Sequence, residues 1–324
     1  MKNFVHINAT TIDDAVFQLR KYSGRAVVIA GGTDILGKMK DRILPDYPEA
    51  VLNIKNIEGL NSVAEDAQVI RIGSLTKLSD LANNPLVNQH FPALSEAARR
   101  TASPNLREMG TLGGNICQDI RCWYYRSPEN RFPCLRKGGG RCYAIMGDNR
   151  YHSIFGGSVE EGCYAVHPSD TAPALVALDA SIVTSKRTVK AEDFFLVQKQ
   201  KTTILEADEI VTEIVIPKPL ENNKNTFIKF AIRKSIDFPI VNCAASLTLQ
   251  EGAISAARIC LNAVAVVPQR AVQAEELILG QSLDENLAER AGEAAVADAK
   301  PMTKNAYLIQ IAKTLVKRSI LACV

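Results

Sequence analysis

Apolar and polar positions along this chain follow two periods, and the switches between them mark out its elements. Residues 10–24, TTIDDAVFQLRKYSG, carry the helical one: Ala15, Leu19 and Tyr22 recur on one face, Thr11 stands where a cap belongs with Asp14 three positions later, and Gly24 closes the stretch. AVVIAGGTDILGKMK, residues 26–40, is a buried-strand run that breaks at a Gly-Gly pair and resumes with helical spacing. AVLNIKNI and QVIRIGSL read as short strands. Residues 78–102 are helical with an Asn-Asn-Pro interruption, after which REMGTLGGNI returns to tight turns. DTAPALVALDA has helical character; SIVTSKRTVKA and DEIVTEIVIPKP read as strands. From about Lys224, FIKFAIRKS, IVNCAASLTLQ and AISAARICLNAV have the form of an antiparallel meander. Two amphipathic helices, DENLAERAGEAAVADA and KNAYLIQIAKTLVKRSIL, close the chain on either side of Lys300-Pro301. The pattern is α+β with a boundary near residue 220, and it holds no internal repeat or low-complexity tract.

Composition narrows the class without changing this outline. The chain has 324 residues, 47% of them apolar, and a net charge of +3, which is room for two or three domains and no imbalance of the kind that marks a nucleic-acid binder. MKNFVHINATTIDDAV lacks the apolar core of a secretory signal, and no run of about eighteen apolar residues is present to span a bilayer. Cytoplasm is the expected compartment, or the periplasm if a partner chain carries the export signal.

Two loops pair glycines with small polar residues: Ala30-Gly31-Gly32-Thr33-Asp34 and Thr111-Leu112-Gly113-Gly114-Asn115. Such loops bring backbone N–H groups close to a bulky anion such as a pyrophosphate, although a Gly-Gly pair alone is more often a tight turn. Neither is a Walker A loop or a GxGxxG fingerprint.

Five of the eight cysteines, Cys117, Cys122, Cys134, Cys142 and Cys163, crowd one irregular segment rich in Gly, Pro and Arg. Cys243, Cys260 and Cys323 lie in apolar contexts and read as buried or terminal thiols, so a disulfide framework is not expected. The intervals 122 to 134, 134 to 142 and 142 to 163 are long. They suit a [4Fe–4S] cube, where each sulfur binds a different iron, better than a zinc ion chelated by close pairs; zinc and free thiols stay open on spacing alone. Arg121, Arg126, Arg136, Lys137 and Arg141 can offset the charge of a thiolate-ligated centre, and the glycines of KGGGR can turn N–H groups toward sulfur. His152 and His167 are assigned no role.

AGGTDILGKMK and RTASPNLREMGTLGGNICQ, together with IGSLTKLSDLANNPLV, YAVHPSDTAPALVALDA, ADEIVTEIVIP and FIKFAIRKSIDFPIVNCAASL, resemble the FAD-binding medium subunit of the molybdenum hydroxylases. This group includes xanthine dehydrogenase, carbon monoxide dehydrogenase and aldehyde oxidoreductase. The resemblance implies a two-part FAD-binding domain of the vanillyl-alcohol-oxidase/CO-dehydrogenase flavoprotein type, residues 1–55 and 56–219, and a C-terminal α+β domain, 220–324, with an antiparallel sheet and helices. It assigns the FAD diphosphate to Ala30, Gly31, Gly32, Thr33 and Asp34 and to Thr111, Leu112, Gly113, Gly114 and Asn115. Asp170 would lie near the ribityl chain and ring. Lys229, in a Lys-x-x-x-Arg pattern with Arg233, would reach the ring edge; as bare residues these two read as a solvated strand face.

CWYYR and PCLRKGGGRC, in an enlarged link about 117–164, are similar to the inserted loop of the 4-hydroxybenzoyl-CoA reductase medium subunit and of bacterial aldehyde oxidoreductase FAD subunits. That likeness implies one [4Fe–4S] cluster on Cys122, Cys134, Cys142 and Cys163, with Cys117 as the substitute. The long stretch YAIMGDNRYHSIFGGSVEEG between the last two ligands favours the aldehyde oxidoreductase subgroup. The implied role is that of an electron-transfer subunit with no substrate-converting residue of its own. Its partners would be a large chain carrying the molybdenum cofactor, a small chain carrying two [2Fe–2S] clusters, and an external carrier such as a ferredoxin. The competing reading is a self-contained flavoprotein oxidoreductase with a structural zinc site.

Overall fold

The computed structural model describes residues 1–157, 162–198 and 201–324. Residues 158–161 of the long stretch before Cys163 thus lie outside the described residues. The chain begins with β1 (Val5–Asn8), α1 (Ile12–Tyr22), β2 (Ala26–Ile29), α2 (Ile35–Lys40) and β3 (Ala50–Asn53). The three strands form a parallel sheet in the order β1-β3-β2. Thr11 caps α1 by accepting from Asp14 N at 3.1 Å, a bond worth about 1 kcal/mol. The left-handed residue that ends α1 is Ser23, φ 47°, followed by Gly24 at φ +83°. β1 was not expected from the sequence: VHIN is too short and too exposed to show alternation.

A second, five-stranded sheet has the order β4-β5-β10-β6-β7. Its strands are β4 (Val63–Glu65) and β5 (Val69–Gly73), then β6 (Ser181–Thr184) and β7 (Thr188–Lys190), with β10 (Val211–Pro217) as the central strand. Between β5 and β6 the chain makes α3 (Leu78–Asn83), α4 (Pro85–His90), α5 (Pro92–Arg99), α6 (Pro104–Arg107), α7 (Leu112–Ile116) and α8 (Thr171–Ala177). Pro85, Pro92 and Pro104 each start one of these helices, where the missing N–H costs nothing. A short helix α9 (Ala191–Phe194) and the hairpin β8 (Phe195–Gln198) and β9 (Lys201–Thr203) precede β10. Ile70, Ile72, Leu81, Leu94, Leu112, Ile116, Leu175 and Ile214 are buried together in the core between this sheet and its helices.

The third sheet is an antiparallel meander of β11 (Asn223–Phe230), β12 (Val241–Gln250), β13 (Ala253–Asn262) and β14 (Gln269–Arg270). It is backed by α10 (Val272–Ile278), α11 (Glu285–Ala294) and α12 (Tyr307–Leu321). β14 and α10 add to the expected three strands and two helices. The first strand stops at Phe230, so AIRKS continues as irregular chain. Mixed helix and sheet is thus the architecture. Among the described residues no helix is long and apolar enough to cross a membrane.

Candidate functional site

The two glycine loops meet. Gly31 packs its α-carbon so tightly on the second loop that a Cβ there would fall 1.9 Å from the Met109 carbonyl oxygen. Gly113 sits just as closely on Ser74, where a Cβ would come within 2.8 Å of the Ser74 Cβ. Gly32 has φ +74°, which an L side chain rarely adopts. Thr111 caps α7, its Oγ1 accepting from Gly114 N at 3.1 Å. Gly31 thus docks the first loop on the residues just before the second and Gly113 docks the second on the end of β5, and both loops face a common cavity of about 590 Å³.

That cavity is lined by Ala30, Gly31, Gly32, Thr33 and Asp34 from the first loop, by Thr111, Gly113, Gly114 and Asn115 from the second, and by Asp170. Two residues expected there are placed elsewhere. Leu112 is fully buried in the core behind α7, because the helical period turns its side chain inward. Lys229 does not reach the cavity wall: its Nζ lies 2.7 Å from Asp170 Oδ2 and donates to Arg100 O at 2.9 Å. Asn242 Nδ2 donates to the other Asp170 oxygen at 2.8 Å. Burial raises the Asp170 carboxyl above the usual range, against the opposing pull of Lys229 and Asn242. Arg233 turns away to an exposed pair with Asp237.

Several lining residues carried no signal in the sequence. Ser74 and Leu75 follow β5, while Thr202, Thr203 and Glu209 come from the segment around β9. Ala102 and Ile236 also line the cavity with left-handed backbones, φ 49° and 69°, joined by Ile236 N donating to Ala102 O at 3.3 Å. For a β-branched residue that conformation is strained, and strain of this kind gathers at ligand-binding edges.

Asp34 has a further task. It accepts from Asp119 N at 2.8 Å and pairs with Arg126 at 2.7 Å and Arg121 at 2.9 Å, so the cysteine segment is tied to the first glycine loop. Asp119 in turn pairs with Lys38 at 2.5 Å and accepts from the Tyr125 hydroxyl at 2.5 Å, with Arg136 3.7 Å away. Burial pushes the Asp119 carboxyl up, but Lys38, Arg136 and Arg126 outweigh it and hold the group well below the usual carboxylate range.

Beyond this network lies a second, small cavity lined by Cys122, Cys134, Cys142 and Cys163, with Ile120, Tyr125, Arg136 and His152. Cys117 lines the larger cavity instead. The wall between the two is one strand of chain: Cys117, Gln118, Asp119 and Arg121 face the larger cavity, Ile120 and Cys122 the smaller. Backbone N–H groups of Tyr124 and Tyr125 near Cys122, of Arg136 and Lys137 near Cys134 and of Ala165 near Cys163 favour the thiolates against burial, with Lys137 N itself donating to the Cys134 carbonyl at 2.8 Å. The glycines of KGGGR were expected to do this; instead Gly138 N and Gly139 N donate to the Leu135 and Cys134 carbonyls. Gly139 is there for space, since a Cβ would fall 1.8 Å from Pro133 O.

Burial pushes the Cys122 thiol up to about 12 and raises Cys134 and Cys163, and a bound cation would favour their thiolates against that burial. Arg136 is 1% exposed, and its Nε and Nη1 have no partner. Four sulfurs, converging N–H groups and a buried cation with donors to spare make a donor set for an anionic, thiolate-ligated centre. Among the described residues no three His, Cys, Asp or Glu side chains converge on a point that holds a single ion. His152, given no role from the sequence, belongs to this cage: its Nε2 is 3.3 Å from Cys122 Sγ, and burial pushes its imidazole down to about 4. His167 is buried outside both cavities against Phe195.

Residues 2–219 match the model of the FAD binding domain in molybdopterin dehydrogenase, and residues 226–323 that of the CO dehydrogenase flavoprotein C-terminal domain. The chain belongs to the FAD-binding medium-subunit family of the molybdenum hydroxylases, oxidoreductase subunits of the CO dehydrogenase and xanthine dehydrogenase type. Among its relatives, the aldehyde oxidoreductase FAD-binding subunit PaoB of Escherichia coli (strain K12) is 31% identical over 97% of this chain and 96% of its own length. The carbon monoxide dehydrogenase medium chain of Hydrogenophaga pseudoflava is 27% identical over 90% of this chain and 85% of that one. A solved structure of carbon monoxide dehydrogenase from Hydrogenophaga pseudoflava, lacking the Mo-pyranopterin moiety of its cofactor, superposes with a TM-score of 0.79 at 25% identity, covering 99% of this chain and 97% of that one.

Proposed function

We propose that this chain is the FAD- and [4Fe–4S]-carrying electron-transfer subunit of a molybdenum-dependent hydroxylase or dehydrogenase. The observation that carries the reading is that Cys122, Cys134, Cys142 and Cys163 line one small cavity, separated from the cavity of the FAD-binding loops by the segment from Cys117 to Cys122. Residues 30–34 would hold the FAD diphosphate through their backbone N–H groups, the 111–115 loop, whose own N–H groups donate to Thr76, Ser74 and Thr111, would close the cavity opposite them, Thr33, Asn115 and Asp170 would face the rest of the cofactor, and Lys229 would act by fixing Asp170. When bound, FAD supplies the change from paired to single electrons.

The four cysteines would ligate the cluster, with Arg136 and Lys137 offsetting its charge. A wall of one strand favours a relay role for that cluster, and the ties from Asp34 to Arg121 and Arg126 favour a second role in ordering the segment. Substrate would be converted at the molybdenum cofactor of a large partner chain, with electrons passing over a small chain that carries two [2Fe–2S] clusters. A one-electron carrier of the ferredoxin kind would exchange electrons at this chain.

The test is a visible spectrum of anaerobically purified protein with iron, zinc and acid-labile sulfide analysis, before and after dithionite. About four irons and four sulfides per chain over a flavin spectrum, bleached on reduction, is the expected result. A flavin spectrum with about one zinc and no sulfide would make the cage a structural zinc site and remove the relay.

A further inference from the structure

His152 stands alone in the sequence, yet its place beside Cys122 is fixed from several sides. Its backbone forms an antiparallel bridge with Ala165, and its N–H donates to Asn149 O at 3.1 Å. Its carbonyl accepts from Asn305 Nδ2 at 2.9 Å, and that asparagine is itself fully buried just ahead of α12. The ring lies 6.3 Å from Trp123 and 6.2 Å from Tyr124, centroid to centroid, and the side chain is 2% exposed. Among the described residues Nδ1 has no hydrogen-bond partner, and Nε2 lies 3.3 Å from Cys122 Sγ.

A ligating thiolate has no proton to give. Beside it the two atoms can be joined only with Nε2–H donating and Sγ accepting. Among the described residues Cys122 is the one of the four sulfurs with a side-chain hydrogen-bond partner. Arg136 lines the same cavity with Nε and Nη1 unpartnered among the described residues, although Nη2 donates to Lys201 O at 2.8 Å, and these two buried donors independently suit an anion there.

We propose that His152 is a positioning residue that sets the reduction potential of the iron–sulfur centre held by Cys122, Cys134, Cys142 and Cys163, through an Nε2–H···Sγ bond to Cys122. The inference rests on the cluster reading above. Reduction adds one electron to the thiolate-ligated centre with no bond made or broken, and part of the added charge falls on the ligand sulfurs. A donor on sulfur therefore stabilises the reduced form more than the oxidised one and raises the potential.

An EPR-monitored redox titration of the purified complex tests this. In His152→Leu, which removes the donor at similar volume, the midpoint falls while iron, sulfide and flavin contents match the wild type. In His152→Gln, whose side-chain N–H can reach the same sulfur, it returns toward the wild-type value. An unchanged midpoint in His152→Leu overturns the proposal, and so does a His152→Gln midpoint as low as that of His152→Leu. His152→Met, longer and apolar, takes the place of His152→Leu with the same two readings if the latter does not retain iron. Wild-type protein without acid-labile sulfide would sink the cluster reading instead, which separates the two failures.

Discussion

Lys229 Nζ and Asp170 Oδ2 stand 2.7 Å apart, each side chain 3% exposed, at the back of the cavity that the glycine loops face. Removing one partner of such a pair leaves the other charge buried and uncompensated, at a typical cost of about 3–5 kcal/mol. Lys229→Met should lower stability by that amount in urea denaturation and weaken FAD retention on gel filtration. The double variant Lys229→Met with Asp170→Asn should recover part of the stability, because no lone charge remains. Full loss in the double variant would mean that Lys229 acts by packing alone.

Gly31→Ala should separate the two loops, since the added methyl meets the Met109 carbonyl at 1.9 Å. The expected outcome is loss of about 1–3 kcal/mol from overpacking, with FAD lost on purification. Gly37→Ala is the matched control: it lies inside α2 with nothing within 4 Å of the new Cβ. Helix propensity predicts that it stabilises by up to about 1 kcal/mol and leaves FAD content unchanged.

Acid should loosen the join between the cysteine segment and the first glycine loop. Lys38, Arg136 and Arg126 hold the folded-state Asp119 carboxyl below its unfolded value of about 3.9, against the opposing push of burial. The stability it contributes is therefore complete above about pH 4 and is lost as pH falls through that value toward the lower folded one. Asp119→Asn should cost about 3–5 kcal/mol at pH 7 and flatten the acid limb of a plot of urea midpoint against pH. A limb as steep as that of the wild type would assign the acid sensitivity to other carboxylates.

Cys117 and Cys122 are close in sequence but line different cavities. Iron analysis of single serine variants should show Cys117→Ser at wild-type iron content, whereas Cys122→Ser, Cys134→Ser, Cys142→Ser and Cys163→Ser lose most of it. Iron loss confined to Cys117→Ser and three of the others would make Cys117 a ligand.

Local features were legible in the sequence because their causes are local. Thr11 and the alternation in residues 240–264 act through neighbours within a few positions, so pattern and chemistry sit together on the chain, whereas Gly31 and Gly113 pack on Met109 and Ser74 far along it. The four cysteines of the cage could be named for the same reason: they lie inside one segment. What escaped depends on partners far along the chain. Asp34 looked like part of a phosphate cradle, yet its partners Arg121 and Arg126 follow 87 and 92 positions later. Lys229 looked like a solvated strand residue because alternation cannot reveal a buried acid 59 positions earlier. His152 carries no motif at all, and its ring reaches a sulfur through contacts that include the bridge to Ala165 and the bond from Asn305, 153 positions later.

The ties from Asp34 to Arg121 and Arg126 also bear on how such a segment is gained or lost. The cysteine segment is not a free-standing cassette, because deleting it would strand Asp34 and grafting it elsewhere would strand two guanidinium groups. Transplanting it into another chain would require an acid in the place of Asp34 as well.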